Sequence, residues 1–179
     1  MELDQKSKAA LYERVVTPHL PAAWNLARWL VRDPHDAEDV LQEACMRAFR
    51  SLDDYRGGEA KSWLLAIVRN LCHDCIRRKR SGRMTLAQDE QFEQIESESV
   101  SPLEHAEKTS DAQHLRRAID QLPVDYRETL ILREFEGLSY KEIAHIAGVP
   151  MGTVMSRLAR AREKLVEVMA PDRAEQAGD

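Results

Sequence analysis

Between Met151 and Leu165 four bases, Arg157, Arg160, Arg162 and Lys164, stand against one acid, Glu163. They close the stretch IAHIAGVPMGTVMSRLARAREKL (143–165), which also offers the hydroxyls of Thr153 and Ser156. Guanidinium groups and hydroxyls on one helix do one kind of chemistry well: they hydrogen-bond phosphate oxygens and base edges in a DNA groove. A second basic set lies between residues 69 and 83, where Arg69, Arg77, Arg78, Lys79, Arg80 and Arg83 face only Asp74. Bases near a helix C-terminus suit the helix dipole, but RRKR (77–80) followed by Arg83 exceeds what capping requires and points to phosphate contact. The opposite charge gathers between Asp33 and Glu43, five acids with no base.

CHDC (72–75) offers a different chemistry. Cys72, His73 and Cys75, with distant Cys45, are donors of the type found in a four-ligand zinc site or a thiol sensor. On a helix, however, His73 projects about 160° away from Cys75. The cysteines also fall in apolar positions, where a thiol packs as a small hydrophobe. The six histidines are scattered, none beside a nucleophile, and no glycine-rich phosphate loop occurs. The sequence is therefore read as a non-enzyme with no catalytic residue, no metal site and no cofactor.

Helices must position these groups. Ala, Leu, Arg and Glu are abundant, while Gly and Pro number seven each, so an all-α fold is expected. Ala37, Val40, Leu41, Ala44, Cys45, Ala48 and Phe49 predict an amphipathic helix over 36–50, capped by Asp33 or Asp36, with Glu38, Asp39, Gln42 and Glu43 on its outer face. Upstream, Leu11, Val15, Trp24, Ala27, Leu30 and Val31 form an apolar series over 8–31 that Pro18 and Pro21 break or bend. After a turn-rich stretch, SLDDYRGGEAKS (51–62), a helix is expected over about 60–80. One arc of it holds Trp63, Leu64, Ile67, Val68, Leu71, Cys72, Cys75 and Ile76, and the other holds Arg69, Asn70, His73, Asp74 and Arg77.

Four more helices are expected over about 112–121, 126–135, 139–147 and 151–169. The last two read as a helix-turn-helix. Ile143, Ala144 and Ala147 face inward, Gly148 suits a turn needing positive φ, and Val149 plugs it. Val154, Leu158, Ala161, Leu165 and Val168 form the buried stripe of the last helix, leaving Thr153, Ser156, Arg157, Arg160 and Arg162 for a major groove.

The formal net charge of −5 hides this pattern. Residues 88–111 hold eight acids and one base, net −7, so the remainder carries +2. That polar segment reads as a flexible acidic linker over 85–111 between domains at 8–84 and 112–170, and the tail PDRAEQAGD as irregular. No apolar run reaches the ~20 residues that span a bilayer. Three cysteines and no cleavable apolar leader fit a cytoplasmic protein.

Taken in order, DAEDVLQEACMRAFR (36–50), KSWLLAIVRNLCHDCIRRKR (61–80) and QLPVDYRETLILREFEGLSYKEIAHIAGVPMGTVMSRLARAREKL (121–165) resemble an extracytoplasmic-function (group 4) sigma-70 family initiation factor. The resemblance covers nearly the whole chain apart from the linker and tails. It implies partners: core RNA polymerase through its β′ and β subunits, promoter DNA both as duplex and as melted non-template strand, and an anti-sigma factor. It implies that Asp36, Asp39, Gln42 and Glu43 bind a coiled coil of β′. The −10 element would fall to Tyr55, Arg56, Lys61, Asn70, Arg77, Arg78 and Lys79, with the Trp63 ring able to stack on a base, although its apolar arc also suits a core role. The −35 element would fall to Arg133, Tyr140 and Lys141 beside the recognition helix, and to Thr153, Met155, Ser156, Arg157, Arg160 and Arg162 on it. Met155 departs from the family, which usually has Lys or Arg there, and Ala159 stands where a bulkier side chain is common. A conventional helix-turn-helix repressor, or a thiol- or zinc-based sensor, is the alternative.

Overall fold

The structure is a computed structural model that describes residues 4–86 and 110–176. All its described regular elements are helical. Helix α1 (Gln5–Val15) starts at Asp4, whose side chain accepts the Ser7 N–H at 2.7 Å. The chain then breaks as the prolines require: a 3-10 turn (Thr17–His19) contains Pro18, and α2 (Leu20–Val31) carries Pro21 in its first turn. Arg32 ends α2 at φ 67° and ψ −46°, the centre of a γ-turn in which the Asp33 N–H donates to the Val31 carbonyl at 2.8 Å.

Helix α3 (Pro34–Ser51) is capped by Asp33, whose carboxylate accepts the N–H groups of His35 at 2.8 Å and Asp36 at 3.3 Å. It buries Ala37, Val40, Ala44 and Ala48. A 3-10 turn (Leu52–Asp54) leads through Gly57 and Gly58, both at positive φ, into α4 (Ala60–Leu86). Leu64, Leu65, Val68, Leu71, Cys72 and Cys75 of α4 are buried against α2 and α3.

The second unit contains α5 (Ser110–Asp120), α6 (Val124–Leu130), α7 (Tyr140–Ala147) and α8 (Met151–Gln176). The single helix expected over 126–135 is instead α6 followed by a π-helical turn (Ile131–Phe135). The wider turn closes with the Glu136 N–H on the Ile131 carbonyl, five residues back, at 3.1 Å. A capping box fixes the start of α7: the Glu142 N–H donates to Ser139 Oγ, and the Ser139 N–H donates to Glu142 Oε2. Gly148 ends α7 in the left-handed region at φ 66°, as the turn required.

Val154, Leu158 and Ala161 of α8 are buried and Leu165 is half-buried, but Val168 remains 38% exposed. The 26-residue α8 outruns the 8-residue α7, and among the described residues its far end is less covered. Its run of helix formers also carries α8 to Gln176, into the tail expected to be irregular. Residues 87–109, and with them most of the expected linker, lie outside the described residues, as do 177–179.

The two units dock. Helix α6 and the π turn pack on α2, and α7 packs on α4, so one core cluster joins Leu30 and Val68 of the first unit to Ile131 and Ile143 of the second.

Candidate nucleic-acid and polymerase interfaces

The acidic face of α3 borders a groove of about 850 Å³ whose other wall is α4. Asp36, Asp39 and Glu43 line one side; Arg77, Arg78 and Lys79 line the other. Residues singled out for polymerase and for the −10 element therefore share one groove. Lys79 pairs with Asp36 across it, and Glu43 accepts from Arg47 Nε at 2.7 Å. Asp39 and Gln42 are exposed.

The other −10 candidates separate. Tyr55, Arg56 and Trp63 line a cleft of about 630 Å³ together with Lys141 from the second unit. The Tyr55 and Trp63 rings lie 5.1 Å apart, and Tyr55 donates its hydroxyl to the Gly58 carbonyl at 3.0 Å. Trp63 is half-buried and packs on the core. Arg56 is exposed. Asn70 is exposed beside Arg50 and Ser51, away from the groove. Arg77 pairs with Asp74 on its own helix. Lys61 reaches into the second unit, donating to the Glu136 carbonyl at 2.9 Å and pairing with its carboxylate at 3.1 Å.

The −35 candidates surround the helix-turn-helix. Arg133 donates to the Leu138 carbonyl at 2.8 Å, and its guanidinium lies 4.8 Å from the Tyr140 ring centre, so these two are held as one platform. Lys141 is exposed at the start of α7. On α8, Thr153 is half-buried and its carbonyl accepts from the exposed Ser156 hydroxyl at 3.1 Å. Arg157 lies 3.8 Å from Asp125, Arg160 lies 3.4 Å from Glu163, and Arg162 pairs with Glu134 at 2.6 Å. Met155 is 52% exposed. The exposed pairs are worth little in water.

Sequence reasoning missed the groups that join the units. Glu128 of α6 is fully buried. It accepts from Arg69 Nε at 2.6 Å and lies 2.9 Å from His73 Nε2, both on α4. Burial pushes its carboxyl up, but the hydrogen bonds and charges of His73 and Arg69 outweigh that and hold it below the usual glutamate value. The buried Arg127 donates to the carbonyls of Leu122 at 2.9 Å and of Leu30, at the end of α2, at 3.2 Å. Burial, and then the nearby Arg32, push the Arg127 guanidinium down to about 10. Asn25 donates to Glu136 at 2.8 Å, and Ser62 donates to Glu142 at 3.2 Å.

His73 thus faces Glu128, with Asp125 near enough that the three ligand atoms lie within 4.8 Å of one another. It does not join the cysteines. Cys72 is buried, and burial, reinforced by Cys75, pushes its thiol well above the usual range, which disfavours the thiolate that metal ligation or redox chemistry needs.

Comparison with known proteins matches residues 15–82 to sigma-70 region 2 and residues 112–165 to sigma-70 region 4. The chain is 33% identical over 180 residues to the RNA polymerase sigma-H factor of Pseudomonas aeruginosa, covering 96% of this chain and 92% of that protein. It is 37% identical over 145 residues to the ECF RNA polymerase sigma-E factor of Escherichia coli K12, covering 76% of this chain and 75% of that one. It is also 36% identical over 166 residues to the ECF RNA polymerase sigma factor SigE of Mycolicibacterium smegmatis; the match covers 93% of this chain but spans only 64% of that protein's length. Among solved structures, the sigma factor RpoE of Bartonella quintana, in complex with the anti-sigma factor NepR, superposes with a TM-score of 0.74 at 32% identity, covering 89% of this chain and 96% of that one. CnrH, in complex with the cytosolic domain of CnrY, superposes at 0.60 with 26% identity, covering 94% and 91%. The chain belongs to the extracytoplasmic-function sigma factors of the sigma-70 family.

Proposed function

We propose that this chain is an alternative sigma factor that binds core RNA polymerase and directs it to promoters with −10 and −35 elements. The observation that carries the reading is the exposed basic face of α8, set behind the turn at Gly148, on the same chain as the acidic face of α3. Residues 8–84 form the polymerase- and −10-binding unit, 85–111 an acidic linker, and 112–170 the −35-binding unit. Asp36, Asp39, Gln42 and Glu43 meet a basic coiled coil of β′, to which complementary charge steers them. Phosphodiester bond formation stays with the polymerase, and the chain is not an enzyme. Among the described residues no helix is long and apolar enough to cross a membrane, which is compatible with work in the cytoplasm. The NepR complex of the similar RpoE supports an anti-sigma factor as the restraining partner.

Promoter binding requires the two units to separate. Elements centred about 25 base pairs apart lie roughly 85 Å apart at ~3.4 Å per base pair. Lys61, a −10 candidate, instead sits 3.1 Å from Glu136 of the −35 unit. The docked arrangement is therefore a resting one, and the linker permits the open one.

Anisotropy measurements with labelled promoter duplex test the reading. The free chain is expected to bind promoter and scrambled DNA alike and weakly. The chain with core polymerase is expected to prefer the promoter by at least about a hundred-fold. Tight, sequence-specific binding by the free chain would instead identify a conventional repressor.

A further inference from the structure

Helix α8 presents an unusual face to the groove that the proposed function assigns to it. At about 100° per residue, Met155, Ala159, Gly152, Ser156 and Arg160 fall in one arc of about 140°, opposite the stripe of Val154, Leu158, Ala161 and Leu165. Met155 is 52% exposed, and Ala159 beside it is exposed. Met151, one turn earlier, is 49% exposed. Half of the arc is thus apolar, and among the described residues nothing covers it. Hydrogen-bonding side chains remain at Ser156 and Arg160, on one side only.

Gly152 is a second and independent sign of an outside ligand. Gly152 is the second residue of α8, and a glycine leaves the backbone of that first turn open to close approach. A Cβ at Gly152 would meet nothing within 4 Å among the described residues. The missing side chain therefore serves no internal packing and leaves room for a body outside, in the middle of the same arc. Arg160 at one edge of the arc, and Arg157 beyond that same edge, add positive charge, which selects a nucleic acid over an apolar protein surface.

We propose that Met155, with Ala159 beside it, reads the C5-methyl groups of thymines in the major groove of the −35 element. The methyl group is the one apolar feature that a base pair offers in that groove, and apolar side chains are its natural readers. Four residues of helix rise about 6 Å, so the two side chains cover about two neighbouring base steps. Specificity there comes from methyl contact, and hydrogen bonding from Ser156 and Arg160 reads the adjoining bases.

The proposal rests on the sigma-factor reading, and the test separates the two. A promoter is selected from a random library by the complete holoenzyme. Each thymine of its −35 element, on either strand, is then replaced singly by deoxyuridine, which removes the methyl and keeps every hydrogen-bonding edge. Holoenzyme affinity is expected to fall about four-fold at one or two adjacent positions, the worth of one buried methyl. Met155→Ala, an exposed change checked by an unaltered thermal melt, is expected to give a similar loss on the thymine promoter and no further loss on the deoxyuridine one. Deoxyuridine tolerated at every position would overturn the proposal while leaving the sigma function standing, as would equal sensitivity in wild type and Met155→Ala, or a selected −35 element without thymines. Failure of the holoenzyme to select any promoter would overturn both.

Discussion

Glu128→Ala is expected to undock the two units without unfolding either. The Glu128 carboxylate has no exposed surface, and Arg69 and His73 are its charge partners on α4. Removing one member of a buried ionic set is costly because the survivors lose their compensation. Here the survivors keep 18% and 19% of their side-chain surface in water, so the loss should lie at the low end, about 3 kcal/mol. At 1.4 kcal/mol per decade, that is roughly a hundred-fold in the docking equilibrium. The loss falls on the seam between units, so helical circular dichroism should hold while the radius of gyration in small-angle scattering rises. Glu128→Gln, which keeps the volume and loses the charge, should give a smaller shift in the same direction. Core polymerase affinity should rise in the alanine variant, because apparent affinity scales with the fraction already competent to bind. An unchanged scattering curve together with unchanged polymerase affinity would show that Glu128 does not hold the units together.

The same carboxylate gives the seam a pH dependence of known sign. Its folded-state value is depressed below the usual 4.5, so its contribution is complete above 4.5 and is lost as pH falls through the lowered value. Docking should therefore persist through mildly acidic pH and fail only in stronger acid.

Asp39→Lys should weaken core polymerase binding by about a hundred-fold while leaving thermal stability unchanged. Asp39 is exposed on the groove wall of α3, and lysine is a good helix former, so the helix itself loses little. Juxtaposing like charges at an interface costs several kcal/mol and slows association. The defect should shrink as salt is raised, because screening weakens the repulsion. Glu43→Lys should behave less cleanly, since Glu43 already accepts from Arg47. Equal polymerase affinity for wild type and Asp39→Lys would remove the acidic face from the binding surface.

The helix-turn-helix was legible because each part of it has a local cause. Gly148 had to take positive φ, and Val154, Leu158 and Ala161 had to face inward. The acidic face of α3 was legible for the same reason, since one helix period separates it from Ala37, Val40 and Ala44. The seam between units was not legible, because polar side chains make much of it and their partners lie far away in sequence. Glu128 stands four residues after Val124 and four before Leu132, a charge in an apolar register. That misplaced charge was the available signal, but nothing local names Arg69 and His73 as its partners. The π turn was hidden too: ILREF continues the helical pattern, and the wider turn follows from tertiary packing of Ile131 and Leu132 in the core. On α4 the bases looked like a single DNA surface, whereas Lys79 turns to Asp36 and Arg69 to Glu128.

Run-off transcription with purified core polymerase tests the central claim most directly. Core enzyme is incubated with and without this chain on a template carrying a promoter selected by the holoenzyme. The account predicts a discrete transcript of fixed start that appears only with the chain, weakens with Asp39→Lys and strengthens with Glu128→Ala at limiting protein. The same unspecific transcripts with and without the chain would contradict it.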